Sequence, residues 1–183
     1  MTLHPLWQVE FVSAGSGNKA DGSGRQVWVA LGSNRDPERE LRQAMDLLMQ
    51  TFGSVRTSNV YRNAAEGVEG PDFLNCAVTF HTHLPVLELI RTLKTIEDAC
   101  GRERDASRRG PKGLDLDLLL YGDEVSAMPP LPHPDILDKA YVLAPLADIA
   151  ADLRHPVTGQ TIGELWARMA ALTSPRFDRH PLA

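Results

Sequence analysis

Two aspartates separated by one residue are the sequence feature best suited to do chemistry. Asp115 and Asp117 lie in the stretch LDLDLLLYGDE, which otherwise has the composition of a buried β-strand. Alternate residues of a strand point to the same face, so both carboxylates should emerge together, with their Cα atoms about 7 Å apart. A carboxylate pair can hold one or two Mg²⁺ ions that also bind substrate phosphates. The pair therefore predicts a magnesium and polyphosphate site.

Five cations lie in the segment directly before this strand. They are Arg102, Arg104, Arg108, Arg109 and Lys112, in a chain whose formal net charge is -5. Salt bridging between loop and strand is the alternative explanation, but aspartates are poor strand residues and a surface ion pair returns only ~0–1 kcal/mol. The guanidinium groups of arginines donate paired hydrogen bonds to phosphate oxygens and neutralise the charge of a transferring group. The segment therefore strengthens the polyphosphate interpretation.

The elements that position these residues follow from the spacing of the apolar residues. Strand and helix patterns alternate in the order β-α-β-β-α-β, the ferredoxin-like arrangement of an α+β fold. The predicted elements are a strand at Val27–Leu31, a helix from Pro37 to Phe52, strands at Val55–Tyr61 and Phe73–Phe80, a helix from Pro85 to Gly101 and a strand at Leu114–Tyr121. Additional C-terminal helices are expected around Asp135–Ala150 and Thr161–Leu172.

The composition favours one folded domain. The chain has 183 residues, of which 43% are hydrophobic and 23% are charged, and this is ordinary for a globular domain with a hydrophobic core. Residues 13–26 are rich in glycine and serine and carry no apolar periodicity. We therefore expect residues 1–26 to be a flexible N-terminal extension and residues 27–183 to be a single domain.

Composition also bears on partners and compartment. No apolar run approaches the roughly 20 residues that span a bilayer, and an acidic chain is a poor match for a broad nucleic-acid-binding surface. Cys76 and Cys100 form neither a metal-binding spacing nor a disulfide framework, so we expect reduced thiols and a cytoplasmic protein. We expect no membrane and no nucleic-acid partner, and a monomer or a weak dimer.

Several stretches resemble the 6-hydroxymethyl-7,8-dihydropterin pyrophosphokinase family (2-amino-4-hydroxy-6-hydroxymethyldihydropteridine diphosphokinase). They occur in order between about Val27 and Trp166 and read GSN, VYRN, GPDFLNCAV, IE followed by GR-x-R, GPKGLDLDLLLYG and LPHPDILDKAYVLAPL. The resemblance implies a ferredoxin-like sandwich with added helices. It also implies ATP-dependent transfer of a pyrophosphoryl group to a pterin hydroxymethyl group in folate biosynthesis, with release of AMP and with two Mg²⁺ ions.

The resemblance implies a role for each matching position. Asp115 and Asp117 would hold the magnesium ions. The catalytic positions would be Arg102, Arg104, Arg108 and Lys112. The nucleotide would contact Glu97, Arg104, Arg108, Leu118 and His133, and the pterin would contact Asn63, Phe73, Asn75 and Tyr141. The structural alternatives are a strand-edge role for Asn75, a rigid loop contact for His133 and plain core packing for Phe73 and Tyr141.

The sequence departs from the family pattern around the substrate. Arg109 stands where many members have a tryptophan. Lys112 and Lys139 stand where arginines are usual, so a compact ammonium charge replaces a guanidinium group that can donate two parallel hydrogen bonds. These departures leave open a rival within the same class of reaction, a divergent paralogue that acts on a different pterin. A rival of a different class is a non-catalytic ferredoxin-like module that binds a nucleotide or RNA.

Overall fold

The first strand separates two apolar layers. The structure, a computed structural model, describes residues 24–65, 70–101, 113–173 and 178–181. In the strand Arg25–Ser33 (β1), Val27, Val29 and Leu31 belong to one layer, whereas Trp28 belongs to the other. This alternation arises because successive side chains of a strand point to opposite faces of the sheet.

The elements after β1 follow the predicted order. They are Pro37–Phe52 (α1), Arg56–Thr57 (β2), Val60–Asn63 (β3), Phe73–Thr82 (β4), Val86–Ala99 (α2), Asp115–Tyr121 (β5), Ser126–Ala127 (β6), Pro130–Leu131 (β7), Asp135–Asp138 (α3), Ala140–Ala150 (α4), Ile162–Thr173 (α5) and Asp178–His180 (β8). The α+β class with additional C-terminal helices is confirmed.

All strand pairs of the main sheet are antiparallel. The strand order is β5-β1-β4-β3-β8, with β2 also paired to β4. The predicted motif corresponds to β1, β3, β4 and β5, so its strands lie in the spatial order fourth, first, third, second. This is the ferredoxin-like sheet. The strands β6 and β7 form a separate two-stranded ribbon, and β8 extends the main sheet beyond β3.

Helices cover both faces of the sheet. On one face, α1 and α2 bury apolar side chains such as Leu41, Leu48 and Leu89. On the other face, α4 and α5 bury a second cluster that includes Leu143 and Leu165. Each fully buried side chain of this kind contributes about 1.5–3 kcal/mol of transfer free energy. The first turn of α4 borders the part of this second face on which the cleft described below opens.

A buried carboxylate fixes the turn between β1 and α1. Glu40 is fully buried and accepts hydrogen bonds from Ser33 Oγ at 2.6 Å and from Arg35 Nε at 3.0 Å. The Arg35 guanidinium also donates to the carbonyl of Gly101, just after α2. The turn after β1 is therefore tied to the end of α2.

Two predicted elements are interrupted in the structure. The strand predicted at Val55–Tyr61 is split at Ser58, because its hydroxyl accepts the Ala77 N–H at 2.9 Å in place of a backbone carbonyl. The helix predicted around Asp135–Ala150 is split at Lys139, whose backbone is extended (φ -118, ψ 114). The prediction of single continuous elements was wrong in both places.

The thiols agree with their predicted structural role. Cys76 and Cys100 are both buried and free. Burial raises the pKa of the Cys76 thiol to about 12 and that of the Cys100 thiol to about 11, so both are unreactive at neutral pH. Among the residues that the structure describes, no helix combines the length and the apolar character needed to cross a bilayer.

Candidate active site

A cleft of about 230 Å³ opens on the sheet between β1, β4 and β5 and the first turns of α3 and α4. It brings together six residues that the sequence assigned to the site, namely Asn63, Phe73, Asn75, Asp115, Asp117 and Tyr141. The remaining lining residues are Ala30, Leu31, Gly32, Gly113, Asp135 and Val142. The predicted metal-binding and pterin-binding side chains therefore share one cavity.

The two aspartates emerge from β5 on one face, as predicted. Asp115 lies opposite Gly32 and Asp117 lies opposite Ala30 on β1, while Leu116 between them is buried. Both carboxylates are partly exposed toward the cleft. The small residues opposite them leave room above the sheet for a ligand.

The electrostatics of the pair favour a bound cation. Burial raises the pKa of the Asp117 carboxyl, and the negative charge of Asp115 raises it further, whereas His133 and Lys94 lower it. A bound cation stabilises the charged form of a carboxylate whose ionisation is disfavoured in this way. Mg²⁺ fits this donor set, since it uses one or two carboxylates and keeps its other positions for water and phosphate oxygens. Within the described ranges, no group of three or more metal-binding side chains occurs.

Glu97 contacts β5 from the α2 side. Its side chain is 1% exposed, and Oε1 accepts the Leu116 N–H at 2.8 Å and the Lys94 ammonium at 2.7 Å. The carboxylate thus holds the backbone of β5 at the residue between the two aspartates. Glu97 does not line the cleft, and its assignment to the nucleotide stays a prediction.

A short chain of amides fixes the hydrogen-bonding edge of the cleft. Asn63 Nδ2 donates to the carbonyl of Ala64 at 3.0 Å, so Asn63 Oδ1 is left to accept. Asn75 Nδ2 donates to that oxygen at 2.5 Å. Because the Ala64 carbonyl can only accept, it determines the orientation of both side-chain amides. Asn75 Oδ1 then lies over Gly32, where a β-carbon would come within 2.7 Å of it.

Aromatic and cationic groups complete the cleft. Phe73, at the start of β4, and Tyr141, in the first turn of α4, both line it. The Lys139 ammonium lies 5.9 Å from the centre of the Tyr141 ring, within the range of a cation–π interaction. Tyr141 reaches the cleft because the extended backbone of Lys139 ends α3 and starts α4.

Three of the residues assigned to the nucleotide, Glu97, Leu118 and His133, are described by the structure, and they lie outside the cleft lining. His133 is close enough to Asp117 to lower the pKa of that carboxyl, and its Nδ1 accepts the Asp135 N–H at 3.3 Å. Leu118 is a buried residue of β5, and β5 is an end strand of the sheet. The predicted catalytic residues Arg102, Arg104, Arg108 and Lys112 lie outside the described residues. Arg109, which differs from the family pattern, lies outside them as well.

Three residues of this region were missed from the sequence. Gly32 was noted only as part of the GSN motif, although its place opposite Asn75 and Asp115 makes it part of the floor of the cleft. Asp135 was seen only as the start of a helix. Lys94 lies one helical turn before Glu97, and this i,i+3 spacing was a signal that could have paired them.

Comparison with known proteins gives the family. A family model described as 7,8-dihydro-6-hydroxymethylpterin-pyrophosphokinase (HPPK) matches residues 28–151. The 2-amino-4-hydroxy-6-hydroxymethyldihydropteridine pyrophosphokinase of Pseudomonas aeruginosa is 39% identical over 149 residues, covering 78% of this chain and 91% of that protein. The Haemophilus influenzae protein of the same name is 36% identical over 150 residues, covering 79% and 92%.

Solved structures support the fold. The crystal structure of wild-type HPPK-DHPS from Plasmodium falciparum with STZ-DHP matches with a TM-score of 0.69 at 14% identity. The match covers 87% of this chain and 47% of the other, so the present chain spans less than half of that protein. At this identity the likeness concerns the fold alone. The family model and the two bacterial relatives together show that the chain belongs to the 7,8-dihydro-6-hydroxymethylpterin-pyrophosphokinase family.

Proposed function

We propose that the protein transfers a pyrophosphoryl group from ATP to the hydroxymethyl group of 6-hydroxymethyl-7,8-dihydropterin, with release of AMP, in folate biosynthesis. The observation that carries this proposal is that Asp115 and Asp117 open into the same cleft as Asn75, Phe73 and Tyr141. A carboxylate pair suited to metal and phosphate thus lies beside an amide and two aromatic rings suited to a flat heterocycle. The bacterial relatives that carry the pyrophosphokinase name support the same reaction.

In this proposal the pterin binds at the Asn75 end of the cleft. A flat heteroaromatic ring gains from stacking on aromatic side chains, and Phe73 and Tyr141 supply them. The donor and acceptor atoms on the edge of the ring pair with the Asn75 amide, whose orientation Asn63 fixes. The hydroxymethyl group is then directed toward the aspartate pair.

The chemical step is an in-line displacement. The hydroxymethyl oxygen forms a bond to the β-phosphorus of ATP, the bond from that phosphorus to the oxygen shared with the α-phosphate breaks, and the hydroxyl proton passes to water. Two Mg²⁺ ions held by Asp115 and Asp117 would neutralise phosphate charge and lower the pKa of the hydroxyl. On the sequence match, the basic positions Arg102, Arg104, Arg108 and Lys112 bind the transferring group.

The nucleotide occupies the β5 side of the cleft in this proposal. His133, which lies near Asp117, contacts a phosphate, and the buried Leu118 contributes through main-chain atoms at the sheet edge. Glu97 acts mainly by holding β5 in place. We further propose a cytoplasmic enzyme, for which the free buried thiols are typical, and a monomer or a weak dimer.

A paralogue that acts on a modified pterin is the rival within the same class of reaction. Its support is the set of departures at Arg109, Lys112 and Lys139. The RNA-binding rival is not favoured, because such modules stack bases on paired aromatic residues of the central strands. Here the central strand β1 lines the cleft with Ala30, Leu31 and Gly32, and the neighbouring β5 adds two aspartates. Measuring AMP release from ATP with a panel of hydroxymethyl pterins separates the two pyrophosphokinase candidates.

Substitution of the aspartates tests the proposal directly. We expect Asp115→Asn and Asp117→Asn each to lower AMP formation at least about a hundredfold, since metal stabilisation of phosphate charge contributes several kcal/mol. Asp135→Asn is the matched control, because Asp135 lines the same cleft outside the pair. Thermal unfolding should show that Asp117→Asn is at least as stable as the parent, as the substitution removes a carboxylate whose charged form is disfavoured. Near-normal turnover by either variant at saturating Mg²⁺ would refute the metal role.

A further inference from the structure

We propose that Lys94 is a built-in counter-ion of the Asp115–Asp117 pair, so that Mg²⁺ has to displace its ammonium group when it binds the nucleotide-free protein. No role in the site was assigned to this lysine from the sequence. The inference rests on the proposed metal-binding function of the aspartate pair. It adds Lys94 as a residue that controls under which conditions the aspartate pair binds a metal ion.

The position of the ammonium is fixed by a buried carboxylate. Lys94 Nζ lies 2.7 Å from Glu97 Oε1, and the Glu97 side chain is 1% exposed. The same oxygen accepts the Leu116 N–H, so Glu97 is itself held by the backbone of β5. Lys94 is therefore anchored to the strand that carries the aspartates, although 46% of its side chain remains exposed.

From this anchor the ammonium reaches the aspartate pair. Its Nζ lies 3.6 Å from Asp115 Oδ1, which is within ion-pair distance. Glu97, Asp115 and Asp117 place three carboxylates around this end of β5.

Displacement of this counter-ion has a consequence for metal binding. A divalent ion on the aspartates would be repelled by the ammonium, which Glu97 holds close by. The free protein should thus bind Mg²⁺ weakly. Phosphate oxygens that arrive with the metal would attract the same ammonium, so metal and nucleotide should favour each other's binding. Lys94 would make the pair receptive to Mg²⁺ together with a polyphosphate rather than to the ion alone.

Lys94→Gln separates charge from hydrogen bonding. The glutamine amide can still donate to Glu97 Oε1 but carries no charge. Isothermal titration of the nucleotide-free protein with MgCl₂ measures the effect. We expect Lys94→Gln to bind Mg²⁺ about tenfold more tightly than the parent, the size of effect that one nearby unit charge has on a divalent ion in a solvated site.

Arg91→Gln is the matched control. Arg91 lies one turn earlier on α2, is exposed, and loses the same unit of charge. Its Mg²⁺ affinity should stay within about twofold of the parent, because an exposed charge that takes no part in the Glu97 and Asp115 ion pairs of Lys94 is screened by solvent. Equal tightening by both variants would mean that net charge alone is responsible, and this would overturn the inference.

The remaining outcomes distinguish this inference from the proposed function. If Asp115→Asn abolishes Mg²⁺ binding but Lys94→Gln binds as the parent does or more weakly, the counter-ion role is refuted and the metal site stands. If the parent binds Mg²⁺ and Asp115→Asn leaves that binding unchanged, the proposed function itself fails. Lys94→Met, a second neutral variant that keeps the aliphatic stem, provides the same measurement if Lys94→Gln does not fold.

Discussion

Side-chain amides give the cleft its most specific feature at the residue scale. The Ala64 carbonyl, Asn63 and Asn75 form a series in which each hydrogen bond has one possible direction. Asn75 is buried, so its amide cannot turn freely to suit a ligand. The absence of a side chain at Gly32 is what allows Asn75 Oδ1 to lie where it does.

Gly32→Ala should therefore weaken pterin binding. The new β-carbon would stand 2.7 Å from Asn75 Oδ1, so the amide has to shift and loses its best geometry toward the ligand. The loss of one such hydrogen bond, about 0.5–1.5 kcal/mol, corresponds to up to about tenfold in pterin affinity. Titration with 6-hydroxymethyl-7,8-dihydropterin in the presence of a non-hydrolysable ATP analogue measures it.

Gly70→Ala is the control for this substitution. A β-carbon at Gly70 would meet Asn34 Nδ2 at 3.5 Å, which is an ordinary contact. Its pterin affinity should match the parent, and both variants should keep the parent affinity for the ATP analogue. Unchanged pterin binding by Gly32→Ala would show that the Asn75 amide does not contact the ring.

Some features of the site could be predicted from the sequence and others could not, for physical reasons. The period of a strand sufficed to place Asp115 and Asp117 on one face. The contact of Glu97 with Leu116 could not be deduced, because it depends on how α2 packs against β5. The orientation of Asn75 depends on a neighbour twelve residues away across two strands, which periodicity does not report.

At the scale of elements, the unexpected features are breaks and short additions. The ribbon β6–β7 and the strand β8 have two or three residues each, too few for an alternating pattern to be recognised. The splits at Ser58 and Lys139 come from one hydroxyl and one extended residue inside otherwise regular patterns. The helix α1, which has a continuous apolar stripe, was predicted to the residue, and the bounds of α2 and α5 were predicted to within one or two residues.

The turn between α4 and α5 should make stability depend on pH through His155. This residue is buried, and its Nδ1 accepts the N–H groups of Val157 and Thr158 at 3.3 Å each. Burial lowers the pKa of the imidazole. The neutral form is thus favoured in the folded state, and its contribution is complete above the ordinary pKa of about 6.5. It is lost as the pH falls from there toward the folded pKa.

His155→Ala measures that contribution. At pH 7.5 we expect the free energy of unfolding to fall by about 1–2 kcal/mol, because the main-chain N–H groups of Val157 and Thr158 lose their acceptor and the buried imidazole is removed. The gap between parent and variant should narrow as the pH falls below 6.5. Urea unfolding at several pH values gives both quantities, with His83→Ala at an exposed position as the control. A gap that stays constant down to pH 5 would contradict the assigned role.

At the scale of the whole molecule, one sheet supports both the core and the site. β4 runs through ten residues, from Phe73 and Asn75 in the cleft to Ala77 in the cluster covered by α4. On this face of β4, the residues that line the cleft come first and a residue of the core follows further along the strand. Core substitutions beneath α4 and cleft substitutions near Gly32 should be separable in their effects.

The N-terminal extension should be dispensable. A chain that starts at Gly24 retains all of β1, and Gly24 itself fits closely against the Thr82 carbonyl. We expect its free energy of unfolding to lie within about 0.5 kcal/mol of the full chain and its AMP formation to be equal. Urea unfolding and the turnover assay test this on both chains. A loss of cooperative unfolding would instead mean that Trp7 or Phe11 packs on the domain.

The fixed direction of the Asn63–Asn75 hydrogen bond also sets a rule for inhibitor chemistry. A cleft whose amide could rotate would accept ring edges of either polarity, whereas this one offers Asn75 Oδ1 as a lone-pair acceptor over a bare glycine. A heterocycle that presents an N–H there is matched, and an isosteric ring that presents a nitrogen lone pair leaves two acceptors facing each other. Selectivity among isosteric scaffolds would thus depend on the tautomer of the ring rather than on its size.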